Sequence, residues 1–143
     1  MIHYILFRTQ AHATEDVSRV RAALEHVLPP ETPIELEETK GYFDNPIIIM
    51  RAGLEKKAAE QYMEFLRTSL PESDYKELIE ELPQRVSEDT NFYLRLSKQD
   101  AYLGDVRITY ADDAIAIRAK IATYPAKYEL ALQQVREYFH AEE

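Results

Sequence analysis

The sequence predicts an α+β fold, an antiparallel sheet with helices packed on it, in the element order βαββααβββα. Three observations lead to this class. Apolar and polar residues alternate over several short segments, apolar residues recur at helical spacing over others, and proline or Asx-rich turns separate them. Helices and strands that do not alternate regularly are typical of the α+β class. The 143 residues match the length of one domain, so we expect a single domain over residues 1–143.

The first two elements are a strand and a helix. Residues 2–9 carry apolar side chains on both parities, which predicts a strand buried on both faces near the middle of the sheet. Thr14 is the predicted N-cap of the first helix. Apolar residues then recur at helical spacing until Pro29-Pro30 ends the helix.

A hairpin and two helices follow. Residues 34–42 alternate as a half-exposed strand, Asp44-Asn45 supplies the turn, and residues 46–54 form the partner strand. Residues 56–70 then have the spacing of a helix. Ser73 is predicted to cap the next helix, which we expect to end or kink at Pro83.

Three strands and a helix complete the chain. The strands are predicted over residues 91–97, 106–110 and 114–123, and the helix begins at Tyr124-Pro125. The alternation of side chains along a strand also predicts the direction of four cationic side chains. A shift of the strand by one residue would bury their charge in the core. We expect these side chains to point away from the apolar face of the sheet: Arg95, Arg107, Arg118 and Lys120.

Charge is distributed unevenly along the chain, whose formal net charge is −9. Residues 55–89 contain ten acidic and five basic residues, whereas residues 95–127 contain six basic and four acidic ones. An acidic surface repels phosphate at long range, so the composition argues against indiscriminate nucleic-acid binding. The absence of cysteine excludes thiol chemistry. With no apolar run long enough to cross a membrane, the composition predicts a cytoplasmic protein.

The residue types needed for catalysis are present but not assembled. The four histidines are scattered, with no pair spaced four apart on a helix, so we predict no metal site and no cofactor: His3, His12, His26 and His140. Asp112-Asp113 resembles a magnesium ligand pair of a nuclease. Its position between two alternating strands favours a hairpin turn instead. We therefore predict a protein that is not an enzyme.

The stretch 91–104, NFYLRLSKQDAYLG, combines aromatic and basic residues on a predicted strand and turn. Tyr93, Arg95, Lys98 and Tyr102 lie within ten residues of one another. Single-stranded RNA is commonly held by aromatic rings with neighbouring cations. The alternative is that the tyrosine rings pack edge-on against helices with only their hydroxyls at the surface.

Four segments together resemble one family: RTQAHATED (residues 8–16), GYFDNPI (41–47), the 91–104 stretch and IATYPAK (121–127). They resemble the archaeal RNA-binding protein family often labelled predicted exosome subunit, over nearly the whole chain. The resemblance implies an RNA-associated cytosolic protein, with a fold similar to the ribosomal protein that holds 5S RNA. It also implies recurring polar positions at Arg8, His12, Asn45, Arg95, Lys98, Gln99 and Lys127. Ser97 and Asp100 depart from the family pattern, and Asp100 weakens the positive field beside Lys98.

We therefore predict a non-catalytic RNA-binding module, accessory to RNA processing (exosome-associated) or to ribosome assembly. The predicted RNA-binding residues are Arg8, His12, Arg95, Lys98, Gln99, Tyr102, Arg107, Arg118, Lys120 and Lys127. The alternative is a protein-interaction adaptor, in which the acidic helical pair at residues 55–89 docks a basic ribosomal or RNA-processing protein. A magnesium-dependent nuclease using Asp112 and Asp113 is the third hypothesis.

Overall fold

The computed structural model describes residues 1–41 and 43–141. Its elements are β1 (Ile2–Ala11), α1 (Val17–Val27), β2 (Glu35–Lys40), β3 (Pro46–Glu55), α2 (Lys56–Ser69), α3 (Glu72–Arg85), β4 (Asn91–Leu96), α4 (Lys98–Tyr102), β5 (Ile115–Ile121) and α5 (Tyr128–Tyr138). The strands form one five-stranded sheet in the order β2-β3-β1-β5-β4. Among the described residues, no helix is long and apolar enough to cross a membrane.

The predicted α+β class, with its antiparallel sheet and the order of its main elements, is confirmed. Two local differences occur after β4. Residues 98–102 form the short helix α4, and the predicted strand at 106–110 contributes a single bridge, Leu96↔Ile108. At the predicted strand 34–42, β2 ends at Lys40, and Tyr42 lies outside the described residues.

Strand β1 lies in the middle of the sheet order, as predicted, but from Ile5 onward only one of its faces is buried. Ile5, Phe7 and Thr9 are buried, whereas Leu6 and Arg8 between them are exposed. The prediction of a strand buried on both faces is therefore wrong. Single exposed apolar side chains such as Leu6 are common on protein surfaces and do not indicate a second buried face.

The chain divides into two compact units. Unit 1 comprises Met1–Ile5, Leu54–Leu94 and Arg118–Glu143. Its helices α2 and α3 both contact α5, and the rings of Phe92 and Phe139 lie 5.7 Å apart in its core. The hydroxyl of Tyr128 donates a 2.6 Å hydrogen bond to the Pro83 carbonyl, which joins α5 to α3.

Unit 2 comprises Leu6–Gly53 and Arg95–Ile117. Helix α1 packs against α4, and the His26 ring nitrogen Nδ1 lies 2.7 Å from the Ala101 carbonyl oxygen. Strands β2 and β3 form an antiparallel hairpin whose register runs from Glu35↔Arg51 to Lys40↔Pro46. Every residue of β2 is exposed.

Three helix starts differ from the prediction. The N-cap of α1 is Asp16, whose carboxylate accepts from the Ser18 backbone N–H at 2.9 Å. Helix α3 follows Pro71 rather than Ser73 and continues two residues past Pro83, and α5 begins at Tyr128, later than predicted. Thr14 cannot cap α1, since it lies in the turn that the Glu15 N–H closes onto the His12 carbonyl at 2.9 Å.

The prediction that these four cations stay out of the core is confirmed, although Arg107 lies outside the strands of the sheet. Arg95, Arg107 and Arg118 are exposed, and Lys120 is half-buried. The Lys120 ammonium donates hydrogen bonds to the Asp89 carbonyl and to the Thr90 hydroxyl.

Candidate nucleic-acid interface

The predicted RNA-binding residues fall in both units. Unit 2 holds seven of them: Arg8, His12, Arg95, Lys98, Gln99, Tyr102 and Arg107. Unit 1 holds Arg118, Lys120 and Lys127. Within unit 2, two hollows gather most of its seven residues, and Asp113 lines both hollows.

The first of these, the sheet hollow, has a volume of about 160 Å³ and lies over three neighbouring strands. Arg8 on β1 and Arg95 on β4 line it, with Ala116 of β5 between those two strands. The small side chain of Ala116 leaves the space open. Within residues 1–41 and 43–141, Arg8 makes no ion pair, so its guanidinium is available to a ligand.

Arg95 is 45% exposed and has two partners in the loop before β5. Its Nη1 donates to the Ala111 carbonyl and to Asp112 Oδ1, each at 3.1 Å. Asp112 is fully exposed, and an ion pair in such a setting contributes little because water screens it. An incoming phosphate can therefore compete for the Arg95 guanidinium.

The second hollow, here called the α1–α4 hollow, has a volume of about 400 Å³. Lys98, Gln99 and Tyr102 of α4 line it together with Arg19 and Glu15. The guanidinium carbon of Arg19 lies 5.6 Å from the Tyr102 ring centroid, a cation–π contact. Arg19 is not among the residues predicted from the sequence, because its position three residues after Asp16 is typical of an ordinary exposed helix face.

Lys98 is engaged by its own protein, with only 10% of its side chain exposed. Its ammonium donates to the Gln10 carbonyl at 2.8 Å, to Glu15 at 3.0 Å and to Asp113 at 2.9 Å. These three bonds tie the first residue of α4 to the end of β1 and to the loop before β5. The geometry therefore gives Lys98 a positioning role.

Asp113 lies at the centre of this cluster. Burial disfavours its ionised form, but the Lys98 ammonium and the His12 ring, whose Nε2 lies 3.3 Å from Asp113 Oδ1, outweigh that effect. The pKa of Asp113 is accordingly lowered. Within the described ranges, His12, Glu15 and Asp113 are the one group whose atoms are close enough to share a metal ion. The Lys98 ammonium already bonds to both of these carboxylates.

The Asp112-Asp113 pair does not present two carboxylates to one point. Asp112 pairs with Arg95, whereas Asp113 pairs with Lys98, so the two carboxylates are directed to different cations. Both residues lie in the bend that leads into β5. This arrangement agrees with the predicted turn.

The remaining predicted residues have mixed environments. Gln99, Arg118 and Lys127 are exposed, while the Lys120 ammonium is engaged as described above. The Arg107 carbonyl accepts from the Ser97 N–H at 2.9 Å, which fixes the turn after β4. Asn45 is exposed in the β2–β3 turn, where its carbonyl accepts from the Gly41 N–H at 2.7 Å.

The acidic helical pair α2–α3 keeps most of its charge at the surface. Three of its acidic residues form ion pairs with cations three or four positions later, Glu64–Arg67, Glu72–Lys76 and Glu81–Arg85. Glu80 of α3 and Glu88 in the turn after α3 are exposed and have no ion-pair partner in the part of the chain that the structure describes. Unit 1 thus presents a net negative surface on these helices.

Comparison with known proteins decides the family. A family model described as RNA binding matches residues 4–121. The chain belongs to this RNA-binding family. RNA-binding protein PAB1135 of Pyrococcus abyssi is 39% identical to it, over 99% of this chain and 96% of that protein.

Two solved archaeal structures support this family assignment. Protein AF2318 of Archaeoglobus fulgidus has a TM-score of 0.86 and 30% identity, covering 96% of this chain and 99% of that one. The DUF54 protein Mth689 of Methanothermobacter thermautotrophicus has a TM-score of 0.81 and 34% identity, with 97% and 98% covered. The predicted resemblance to an archaeal RNA-binding family is confirmed, and the exosome association stays a prediction.

Proposed function

We propose that this protein binds RNA through the sheet hollow of unit 2, as a non-catalytic single-domain module. The observation that carries the proposal is the convergence of Arg8 and Arg95, two exposed guanidinium groups, on one open hollow. Guanidinium groups match the geometry of phosphate and bind it with two parallel hydrogen bonds. Membership of an RNA-binding family supports RNA as the source of that phosphate.

Lys98 contributes indirectly to this site. Asp113 lies on the wall of the sheet hollow, where a free carboxylate would repel phosphate. The Lys98 ammonium, 2.9 Å away, neutralises it. Lys98 therefore maintains the positive field that the two arginines create. Six further residues remain proposed RNA contacts of secondary weight: the exposed Arg118 and Lys127, and Arg107, Lys120, His12 and Gln99.

The cellular role that we propose is accessory: assistance to RNA processing, in association with the exosome, or to ribosome assembly. Two observations support a role without catalysis. Asp112 and Asp113 are directed to separate cations, and the relative from Pyrococcus abyssi carries the name RNA-binding protein. The partners of such a module are RNA and RNA-processing or ribosomal proteins.

Arginine substitution tests the binding site directly. In Arg8→Ala and Arg95→Ala, loss of one phosphate contact should lower the slope of log affinity against log salt by about 0.7 for a single strand. Fluorescence anisotropy with a labelled single-stranded RNA and a labelled RNA hairpin, at several salt concentrations, measures this slope. Binding should weaken similarly for different RNA sequences, since phosphate contacts do not read bases.

Lys57→Ala is the matched control. Lys57 is an exposed cation of α2 without an ion-pair partner in the described residues, so its removal changes net charge equally. Its slope should stay at the wild-type value. Equal slopes in wild type and both arginine variants would remove the sheet hollow from the RNA-binding site.

A pull-down from native lysate with RNA sequencing tests the accessory role. Wild type should recover ribosomal or RNA-processing transcripts and proteins, and the Arg8→Ala/Arg95→Ala double variant should lose them. Proteins that persist after nuclease treatment and in the double variant would support the adaptor hypothesis, with the α2–α3 pair as the docking surface.

A further inference from the structure

We infer that the α1–α4 hollow is a subsite for one unpaired nucleobase, a ligand that differs chemically from the phosphate of the sheet hollow. This inference rests on the proposed RNA binding and adds the part of the nucleotide that this second hollow accepts. Its volume of about 400 Å³ lies within the range of sites that bind small molecules.

The hollow offers two stacking surfaces. The Tyr102 ring is 39% exposed, and its hydroxyl makes no hydrogen bond within residues 1–41 and 43–141. The ring is therefore not held edge-on by a polar partner, in contrast to Tyr128. Arg19 extends the stacking area, since aromatic rings and guanidinium planes both stack on bases.

Charge balance favours a neutral ligand in this hollow. Its lining contains two positively charged residues, Arg19 and Lys98, and two negatively charged ones, Glu15 and Asp113. Two positive and two negative charges sum to zero in this lining, and the Lys98 ammonium bonds to both carboxylates. A base is uncharged, so the hollow suits a base better than it suits a phosphate.

One lining side chain is free to recognise the edge of a base. The Ser97 and Thr109 hydroxyls accept from the backbone N–H groups of Asp100 and Ala111, at 3.2 and 3.3 Å. Gln99 is exposed, and its amide makes no such contact within the described part of the chain. An amide offers one acceptor and two donors, which suits hydrogen bonding to a base edge.

The two hollows share Asp113 as a wall residue, so they adjoin within unit 2. Because the hollows are adjacent, we assign neighbouring parts of one RNA strand to the two hollows. The sheet hollow receives the phosphate, and the α1–α4 hollow receives a base that has left the stack. Duplex RNA keeps its bases paired and leaves the second subsite empty.

Fluorescence of a single 2-aminopurine, a base analogue that loses emission on stacking, tests the subsite. Wild-type protein should quench it in a single-stranded RNA and leave it unchanged in a duplex. Tyr102→Leu should lose the quenching and weaken binding roughly tenfold, with the salt slope unchanged. Tyr102→Phe should retain both, and Gln99→Leu should retain quenching while reducing discrimination among bases.

Controls separate this inference from RNA binding itself. Tyr124→Leu removes a fully exposed tyrosine and should behave as wild type. Arg8→Ala/Arg95→Ala should bind more weakly and still quench at saturation. Quenching by wild type that persists in Tyr102→Leu, or binding without any quenching, overturns the base subsite and leaves the proposed function intact. A wild-type protein that binds no RNA overturns both.

Discussion

At the scale of single residues, a lysine held by two carboxylates and a carbonyl differs from a lysine in water. Lys98 has exchanged its hydration for three protein acceptors, and a phosphate could reach it only by displacing them. Removing one acceptor leaves a nearly buried cation with fewer partners, which costs more than losing a surface pair. Lys98 is thus part of the framework that holds Gln99 and Tyr102 in place.

The lowered pKa of Asp113 gives this cluster a pH signature. A carboxyl whose pKa is lowered on folding stabilises the protein above its unfolded pKa of about 3.9, and this contribution is lost as pH falls through the folded pKa. Asp113→Asn should therefore lower the free energy of unfolding at pH 7 by about 1 kcal/mol, a small value because the carboxylate is half exposed. Urea denaturation at pH 7 and at an acidic pH well below about 3.9 should show the difference from wild type only at pH 7.

Asp112→Asn is the control for that measurement. Its carboxylate is fully exposed, so the variant should match wild type in stability at both pH values. If Asp113→Asn lowers the free energy of unfolding equally at pH 7 and at acidic pH, the carboxylate contributes by packing rather than by charge.

Local sequence patterns predicted which residues belong to the site better than they predicted the surroundings of each side chain. The aromatic and basic composition of the 91–104 stretch indicated Arg95 and Tyr102, and the family resemblance indicated Gln99; all three are exposed. The same pattern could not reveal that Lys98 turns toward Glu15, which lies 83 positions earlier. Arg19 was missed for the related reason that its partner Tyr102 is distant in sequence.

At the scale of elements, strands and long helices were predictable because their periodicity extends over many residues. Helix α4 was not, since five residues are too short to show helical spacing. Its stability comes from the Ser97 cap, which accepts from the Asp100 N–H, and from packing against α1. The segment 106–110 also alternates, but among the described residues it is paired to β4 by one isolated β-bridge, Leu96↔Ile108, instead of a full strand ladder.

The start of α1 provides a test at this scale. Asp16 caps the helix, whereas Thr14, the residue predicted from sequence, does not. Asp16→Ala should lower the melting temperature by a few degrees, because one N-terminal N–H loses its acceptor. Thr14→Ala, measured in the same calorimetric or circular-dichroism scan, should leave it unchanged. A larger loss in Thr14→Ala than in Asp16→Ala would contradict the assignment of the cap.

At the scale of the whole molecule, the class of the fold follows from the sequence, but the sheet order does not. Arg8 and Arg95 flank the same hollow because β5 lies between β1 and β4, a consequence of the order β2-β3-β1-β5-β4. Local patterns carry no information about which strands become neighbours. The two arginines could therefore be proposed from the sequence, but not their convergence.

The uneven distribution of charge predicts which part of the molecule repels RNA. Ten acidic residues within positions 55–89 repel phosphate, so Glu80→Lys/Glu88→Lys should leave RNA affinity unchanged or raise it. The gain should shrink at high salt, where the long-range field is screened. Glu80→Gln/Glu88→Gln, which removes charge without reversing it, should fall between the double lysine variant and wild type.

Anisotropy titrations at low and high salt measure this effect, with circular dichroism as the check on folding. A clear loss of affinity in the lysine variant, with the fold intact, would count against the charge distribution proposed here. It would favour α2 and α3 as part of the RNA-binding surface.

Strand β2 has a consequence for how concentrated solutions of the protein behave. It ends the sheet order, every one of its residues is exposed, and Glu35, Glu37 and Glu38 occupy half of it. An open strand edge is a template on which another chain can add its own strand. Ionised carboxylates make two such edges repel, so neutral pH and low ionic strength should favour monodispersity, whereas acidification would remove this protection against fibrous self-association.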